Sequence, residues 1–312
     1  MPEPRGKSSP EAAEAQARDA LRASSETAHL AEASFRPILG GLSNYAWCAT
    51  SLAGEFFVRL ARGTGDMPGV DHANERRVLE LTARAGLSPP VVRCDPAARL
   101  LVTSWIDAPE PGRGLQAPGE LAVVARALAS LHALPTSPHL RSVDFATQAH
   151  QIEGALATER GEASLRSCAA EVFLRLREQP TDAVLCHNDL NPLNLVWERS
   201  GRLWLVDWEY AGLGDRAIDL ASFANQHGLD ARRRGRLIAA YVAAGGVLDL
   251  PRLERARWAF DYVQWLWYRA ALVSPATGVD AAPARGRAAR LANSLRGRAS
   301  RLLRCNNAAF AG

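Results

Sequence analysis

The sequence predicts an α+β protein of two lobes, a small antiparallel-sheet lobe with one helix followed by a larger, mainly helical lobe. Short β-rich runs separated by turn residues fill residues 34–107. A Pro- and Gly-rich stretch over residues 109–119 follows, and beyond it segments with helical periodicity dominate. A chain of 312 residues also exceeds what one small core usually sustains, which favours two lobes.

The first lobe, residues 34–107, is predicted to contain four strands and one helix. A strand over residues 44–50, a turn at Ala53–Gly54 and the run EFFVRLA form a hairpin. The segment HANERRVLELTARAG has apolar residues at helical spacing and ends at Gly86, a residue that often terminates helices. The runs PPVVRCD and RLLVTSWI flank a turn at Asp95–Pro96 and complete the lobe as two further strands.

The remaining segments form a lead-in and the second lobe. Residues 1–33 are polar and are predicted to be a lead-in with little tendency to order, apart from one loose helix over residues 10–22. Residues 108–312 form the helical lobe, which begins with the amphipathic run ELAVVARALASLHAL. Near its end, residues 283–304 carry seven arginines and no acid. Because no aromatic residues interleave with these arginines, a solvated helix face is favoured over a nucleic-acid site.

The overall composition indicates a soluble protein without a membrane span. Hydrophobic residues make up 47% of the chain and charged residues 22%. No run approaches the roughly 18 uninterrupted apolar residues that a span requires. Residues 1–30 lack an apolar core and contain several acids, which argues against a signal or transit peptide and favours the cytoplasm. The sequence does not indicate an oligomeric state.

The basic residues and cysteines exclude several kinds of site. Of 37 basic residues only Lys7 is a lysine, and it lies in the polar lead-in. A P-loop, a Schiff base and a pyridoxal phosphate site each need a lysine in the folded body, so any phosphate-binding cation there must be an arginine. The five cysteines are scattered without a CxxC pair, and they are predicted to be reduced and mostly structural.

The stretch LCHNDLNPLNLVWERSGRLWLVDWEY, residues 185–210, concentrates polar side chains between two apolar runs. It fits H-x-D-L-x-x-x-N, a catalytic-loop pattern in which an Asp accepts a proton from a hydroxyl and an Asn five residues later holds Mg²⁺. Asp189 and Asn194 have that spacing. After a predicted hairpin, Asp207 would supply a second metal-binding carboxylate. This order of residues predicts phosphoryl transfer with Asp189 as the base.

These residues resemble the choline kinase and aminoglycoside phosphotransferase group, eukaryotic-like kinases that act on small molecules. The stretch CHNDLNPLNLVW is similar to its catalytic loop, and VDWEYAGLGDRAIDLASF to its metal-binding loop and following helix. The resemblance covers residues 35–275 and implies a protein-kinase-like fold with ATP and Mg²⁺ as cofactors. It also implies structural roles for His187 and for Asp219, which would hold the catalytic loop in shape. Ser222 and Gln226 stand where eukaryotic choline kinases carry Asn and Glu, and DWEYAG is closer to bacterial choline and thiamine kinases.

The resemblance also implies a nucleotide site in the first lobe. Arg59 occupies the position of the superfamily's phosphate-binding cation, and Glu75 is the helix carboxylate that would pair with it. An exposed helix charge is the alternative for Glu75. The turn before the first hairpin strand would lay backbone N–H groups over the phosphates, and the segment that ends the last strand would offer backbone groups to adenine. The residues assigned to these two segments are Gly41, Ser43 and Asn44 for the phosphates, and Thr103 and Trp105 for adenine.

Aromatic residues on one predicted C-terminal helix indicate a site for a cationic alcohol. Aromatic faces bind quaternary ammonium groups by cation–π attraction, although the same helical spacing equally fits a buried core. Residues 229–312 hold only five acids against fifteen arginines, which disfavours a polycation such as an aminoglycoside. Choline is therefore the first predicted substrate, thiamine or ethanolamine the next, and an aminoglycoside a further alternative. The predicted substrate contacts are Glu209, Trp258, Asp261, Tyr262, Trp265 and Tyr268.

Two other classes of function remain open at this point. A catalytically silent relative would keep the fold without the reaction, although the base and both metal ligands are present in the sequence. A metal-dependent hydrolase would use His187 and Asp189 as ligands and would need further ligands, for which His227 is the one downstream histidine.

Overall fold

The chain folds into two compact units. The first comprises Met1–Pro111 with Leu195–Tyr210, and the second comprises Gly112–Asn194 with Ala211–Gly312. The predicted α+β class, with an antiparallel sheet followed by a mainly helical part, is confirmed. The computed structural model describes residues 9–39, 44–62, 70–110, 112–117, 119–156, 162–178, 181–248, 250–273 and 281–304.

The first unit is built on a five-stranded antiparallel sheet. Its strands are β1 (Ser34–Pro37), β2 (Asn44–Ser51), β3 (Gly54–Ala61), β4 (Val91–Asp95) and β5 (Leu100–Ser104). The strand order is β1-β2-β3-β5-β4, so β3 lies in the middle. Strands β2 and β3 form the predicted hairpin, and Gly54 at its turn has φ +120°, which L side chains rarely adopt. Strand β1 was not predicted.

Helix α2 (His72–Arg84) is the helix that the sequence predicted for the first lobe. The side chain of Asp71 caps its N-terminus by accepting the backbone N–H of Asn74 at 2.9 Å. Gly86, with φ +68°, follows its C-terminus. The buried face of the helix includes Glu75, which therefore points into the unit rather than to solvent.

Residues 9–33 are ordered more fully than the sequence predicted. Helix α1 (Pro10–Arg22) coincides with the loose helix expected there. Ala13, Ala17 and Leu21 lie four residues apart on one face, and all three are buried in the apolar core that includes the sheet. The prediction of a lead-in with little order is therefore wrong for this segment, because a short stripe of alanine and leucine is enough to dock the helix. Residues 1–8 lie outside the described residues.

A second hairpin, β7 (Leu195–Trp197) and β8 (Leu203–Leu205), belongs to the first unit. The sequence-based boundary after residue 107 placed this hairpin in the second lobe. A backbone bond explains the difference, since the N–H of Leu205 donates to the carbonyl of Leu87 at 2.8 Å.

The second unit is mainly helical. Its helices are α3 (Glu120–His132), α4 (Phe145–Ala155), α5 (Ala163–Glu178), α6 (Arg216–Gln226), α7 (Ala231–Ala243), α8 (Leu250–Val273) and α9 (Ala281–Arg304). A short antiparallel ladder joins β6 (Val184–Cys186) to β9 (Gly212–Gly214). Helices α4, α5, α6 and α9 all pack on α8, which lies at the centre of the unit.

Helix α9 shows how the arginine-rich C-terminal segment is accommodated. Ala284, Ala288, Ala292 and Leu295 recur every three or four residues and are buried in the core of the second unit. Among the arginines of this helix whose side chains the structure describes, Arg285, Arg287, Arg290 and Arg296 are exposed, which agrees with the interpretation as a solvated arginine face. Among the described residues, no helix is long and apolar enough to cross a bilayer.

Candidate active site

The predicted catalytic loop, residues 187–194, follows β6 and is held by the side chain of Asp219. This carboxylate is fully buried on α6. It accepts the backbone N–H of His187 at 2.8 Å and that of Asn188 at 2.6 Å. Asn188 has φ +67°, a left-handed conformation that Asn tolerates better than most residues. Asp219 therefore fixes the turn that presents Asp189.

Further contacts satisfy the buried carboxylate of Asp219. Nε2 of His132 lies 3.1 Å from Asp219 Oδ2, and Nδ1 of the same ring lies 2.7 Å from the hydroxyl of Tyr241. A buried charge is tolerated when its oxygens are hydrogen-bonded in this way. The sequence motif did not include His132 or Tyr241, because α3 and α7 supply them from distant parts of the chain.

His132, Asp219 and Cys186 also form the one cluster of three potential metal ligands in the described part of the chain, with ligand atoms within 4.8 Å of one another. Burial raises the pKa of the Cys186 thiol well above its ordinary value, which opposes the thiolate that a metal needs. We interpret this cluster as structural. The residues that a hydrolase would use as ligands, His187, Asp189 and His227, are not members of this cluster. The hydrolase alternative therefore gains no support.

The carboxylate of Asp189 is surrounded by side-chain amides. Nδ2 of Asn191 donates to its Oδ2 at 2.9 Å, and Nδ2 of Asn194 donates to the same oxygen at 3.2 Å. Asn194 Nδ2 also reaches the backbone carbonyl of Asp189 at 2.8 Å. Nε2 of Gln226 donates to Oδ1 at 2.9 Å. Neutral donors thus hold the predicted base in one orientation without neutralising its charge.

In the first unit, Arg59 lies between two carboxylates. Its NH2 atom is 2.5 Å from Glu75 Oε2, and its NH1 atom is 2.8 Å from Asp207 Oδ1. Arg59 is 4% exposed and Glu75 is 1% exposed. The pairing of Arg59 with Glu75 is the one that the sequence predicted, and the exposed-helix alternative for Glu75 is excluded by its burial.

Electrostatics keep both members of this pair charged. Burial opposes the charge of the guanidinium, but Glu75 and Asp207 outweigh it and raise the pKa of Arg59 above its ordinary value. Burial likewise opposes the charge of Glu75, but Arg59 outweighs it and lowers the pKa of that carboxyl. The buried ion pair therefore stays intact at neutral pH.

Asp207 stands at a strained position just after β8. Its φ is +65°, which is uncommon for a residue other than Gly and typical of functional loops. The next residue, Trp208, is held in place because its buried indole Nε1 donates to the carbonyl of Leu205 at 3.2 Å. The backbone conformation and the anchored neighbour together aim the Asp207 carboxylate at Arg59.

Glu209 and Asn44 contact each other. Nδ2 of Asn44, the first residue of β2, donates to Oε2 of Glu209 at 3.0 Å, and both side chains are buried. Glu209 was predicted to bind the alcohol, whereas the structure shows it tied to the start of β2. Gly41 and Ser43, the other residues predicted to contact phosphate, lie outside the described residues.

The residues predicted to contact adenine lie at the end of β5. Thr103 is buried within the sheet and has strand partners on both sides, Phe57 of β3 and Val91 of β4. The prediction that its backbone binds a nucleotide is therefore wrong, because the sheet uses those groups. Trp105 lies beyond the strand, where its N–H donates to the carbonyl of Glu55 at 3.2 Å.

The aromatic stripe of α8 is core. Trp258 and Tyr262 are 0% exposed and stack with ring centroids 5.2 Å apart, and Trp265 is 3% exposed. Tyr268 packs half-buried against the same core. The prediction that Trp258, Tyr262 and Trp265 contact the substrate is corrected, because α8 is surrounded by other helices and these three side chains are buried among them. Asp261 is not available either, since it forms an ion pair with Arg298 of α9. The prediction for Tyr268, which is half-buried, stays a prediction.

We expect Tyr262→Phe to lower the free energy of unfolding by about 1 kcal/mol and to leave the KM for the alcohol unchanged. The Tyr262 hydroxyl donates to Glu153 Oε1 at 2.5 Å, and the variant loses that bond while keeping the ring in the core. Denaturant unfolding and steady-state kinetics measure the two quantities. A severalfold rise in the KM for the alcohol at unchanged stability would instead restore Tyr262 as a substrate contact.

Comparison with known proteins identifies the family. The phosphotransferase enzyme family matches residues 34–259. A solved choline/ethanolamine kinase family protein from Mesorhizobium loti gives a TM-score of 0.71 at 25% identity, over 92% of this chain and 98% of that chain. Choline kinase LicA from Streptococcus pneumoniae shares the fold, with a TM-score of 0.69 at 21% identity over 83% of this chain and 92% of its own.

A curated relative matches over a shorter stretch. Protein LicA of Haemophilus influenzae is 36% identical over 72 residues, which make up 22% of this chain and 21% of LicA. This chain therefore matches only about a fifth of that relative's length. The family match, by contrast, covers well over half of the chain and agrees with the resemblance drawn from the catalytic-loop residues. The chain belongs to the phosphotransferase enzyme family.

Proposed function

We propose that this chain transfers the γ-phosphoryl group of ATP to a hydroxyl of a small cationic alcohol, choline first and ethanolamine or thiamine next. The observation that carries the proposal is the Asp189 carboxylate, which three side-chain amides orient on the catalytic loop. Phosphoryl transfer depends mainly on positioning and charge neutralisation. A carboxylate held in this way is suited to orient an alcohol and to accept its proton.

Arg59 is the proposed contact to the phosphates of ATP. Its guanidinium is fixed by Glu75, so little side-chain freedom is lost when it binds an anion. Its Nε is buried and has no hydrogen-bond partner among the described residues, so one N–H of the guanidinium is unsatisfied in this arrangement. Lys7 is the one lysine of the sequence, and this composition is consistent with arginine in the role.

Asn194 and Asp207 are the proposed ligands of Mg²⁺, and their chemistry fits that ion. Mg²⁺ is bound by oxygen atoms, usually one or two carboxylates together with phosphates and water. Asn194 turns its Nδ2 toward Asp189, so Oδ1 is its ligand atom. Asp207 offers a partly exposed carboxylate. When bound, the ion would neutralise charge on the transferring phosphoryl group.

Charge and the named relatives favour a small monocation over an aminoglycoside. Of the five acids in residues 229–312, Asp261 pairs with Arg298, and Glu254 pairs with Arg234 and Arg257. A polycation therefore meets few carboxylates on this segment. The relatives named as a choline kinase and as a choline/ethanolamine kinase family protein support choline or ethanolamine.

We expect ATP-dependent phosphorylation of choline, ethanolamine or thiamine and no useful activity on kanamycin. Consumption of ATP is measured across this panel with Mg²⁺ present, and mass spectrometry identifies the phosphorylated product. The Asp189→Asn variant is the control for contaminating kinases. Efficient phosphorylation of kanamycin, with the three small alcohols inert, would overturn the proposed substrate class.

A further inference from the structure

We propose that Gln226 is a positioning residue for the base and that it sets the orientation of the Asp189 carboxylate. The inference rests on the proposed function, because it takes Asp189 as the group that accepts the alcohol proton. Gln226 is the last residue of α6, and its Nε2 donates to Asp189 Oδ1 at 2.9 Å. It lies outside the catalytic-loop motif, since it follows Asp189 by 37 residues.

Three side chains on one face of α6 contact the catalytic loop. Asp219, Ser222 and Gln226 are spaced by three and four residues, which places their side chains on the same side of the helix. Asp219 and Ser222 accept backbone N–H groups of the loop from residues on either side of Asp189. Gln226 is the member of this face that reaches the Asp189 side chain.

The three amide donors around Asp189 are shared unequally between its two carboxylate oxygens. Asn191 and Asn194 both donate to Oδ2, and Gln226 donates to Oδ1. The terminal torsion of an Asp side chain has a broad energy profile, so donors on one oxygen alone leave the carboxylate plane poorly fixed. A donor on the second oxygen fixes that plane. Loss of Gln226 therefore frees the carboxylate to rotate, while the backbone bonds that shape the loop remain.

Gln226 is uncharged, so it does not repel a positively charged substrate. A lysine or arginine at this position would also orient Asp189, but it would place a cation beside the group that approaches the alcohol. An amide supplies the hydrogen bond and leaves the negative charge of Asp189 uncompensated. The geometry thus combines a fixed carboxylate with an environment that does not repel an ammonium group.

The test compares Gln226→Ala with Gln226→Met, which keeps the length of the side chain but has no donor. Choline, ethanolamine or thiamine serves as substrate, whichever the wild-type chain turns over fastest. We expect kcat to fall about 10- to 100-fold in both variants, since a charge-assisted bond that orients a reacting group is lost. The KM values for ATP and alcohol stay within about twofold, and the melting temperature shifts by only a few degrees. Gln151→Ala, at an exposed glutamine of α4, should match wild type.

A kcat of Gln226→Met within about twofold of wild type overturns the inference. So does a fall in kcat that comes only with a large rise in both KM values or with loss of folding, because Gln226 would then be structural. Asp189→Asn is assayed alongside, so that failure of the proposed base can be distinguished from failure of the proposed role of Gln226. If Asp189→Asn remains active, the proposed base is wrong; if it is inactive while Gln226→Met is unimpaired, only the role of Gln226 is wrong.

Discussion

Replacing Asp189 with Asn, or Asp207 with Ala, is expected to lower the turnover number by at least about three orders of magnitude. Asn keeps the shape of Asp but cannot accept a proton from the alcohol. One of the amide donors around Asp189 would then face an N–H group, a loss of about 1 kcal/mol, so the melting temperature should change little. Asp207→Ala removes a proposed ligand of Mg²⁺ and one partner of Arg59.

Turnover is measured at saturating ATP, Mg²⁺ and alcohol. Exposed aspartates give matched controls, Asp182→Asn for the second unit and Asp107→Asn for the first, and both should behave as wild type. Activity within about tenfold of wild type in Asp189→Asn or in Asp207→Ala, on a verified substrate, would remove that residue from the proposed chemistry.

The residues of the predicted catalytic loop and metal site are close together in the sequence, which explains why they could be named from the sequence. Asp189, Asn194 and Asp207 lie within 19 residues of one another, around a hairpin, so spacing alone specifies them. Arg59 and Glu75 required the resemblance, since a strand arginine and a helix glutamate are common residues. The resemblance implied that the two side chains pair, and the structure shows that they do.

Other features depend on packing that the sequence does not specify. Trp258, Tyr262 and Trp265 recur at a spacing that fits a core and a binding face equally, and only the surrounding helices show that they are buried. Gln226 carries a weak signal, its helical spacing from Asp219, but its contact appears only once α6 is placed beside the catalytic loop. Helix α1 was underestimated because alanine contributes little to an apolar pattern.

The second large effect is expected at Arg59. Arg59→Ala leaves the buried carboxylate of Glu75 without its cation, and breaking such a pair costs about 3–5 kcal/mol of unfolding free energy. The deficit should shrink as the pH falls through the ordinary pKa of Glu, because protonated Glu75 no longer needs a cation. Urea unfolding at two pH values measures it. Arg199→Ala breaks the pair with Asp107, whose side chains are 68% and 67% exposed, and should cost less than about 1 kcal/mol.

Two further variants separate the proposed role of Arg59 toward ATP from its contribution to stability. Arg59→Lys keeps the charge but cannot hold Glu75 and Asp207 with two separate nitrogens, so the KM for ATP should rise severalfold. The double variant Arg59→Met with Glu75→Gln leaves no buried carboxylate at residue 75 and should recover much of the lost stability. It should not recover the use of ATP, because no cation remains to bind phosphate. If ATP use returned together with stability, Arg59 would be a structural residue and its proposed contact with the nucleotide would be wrong.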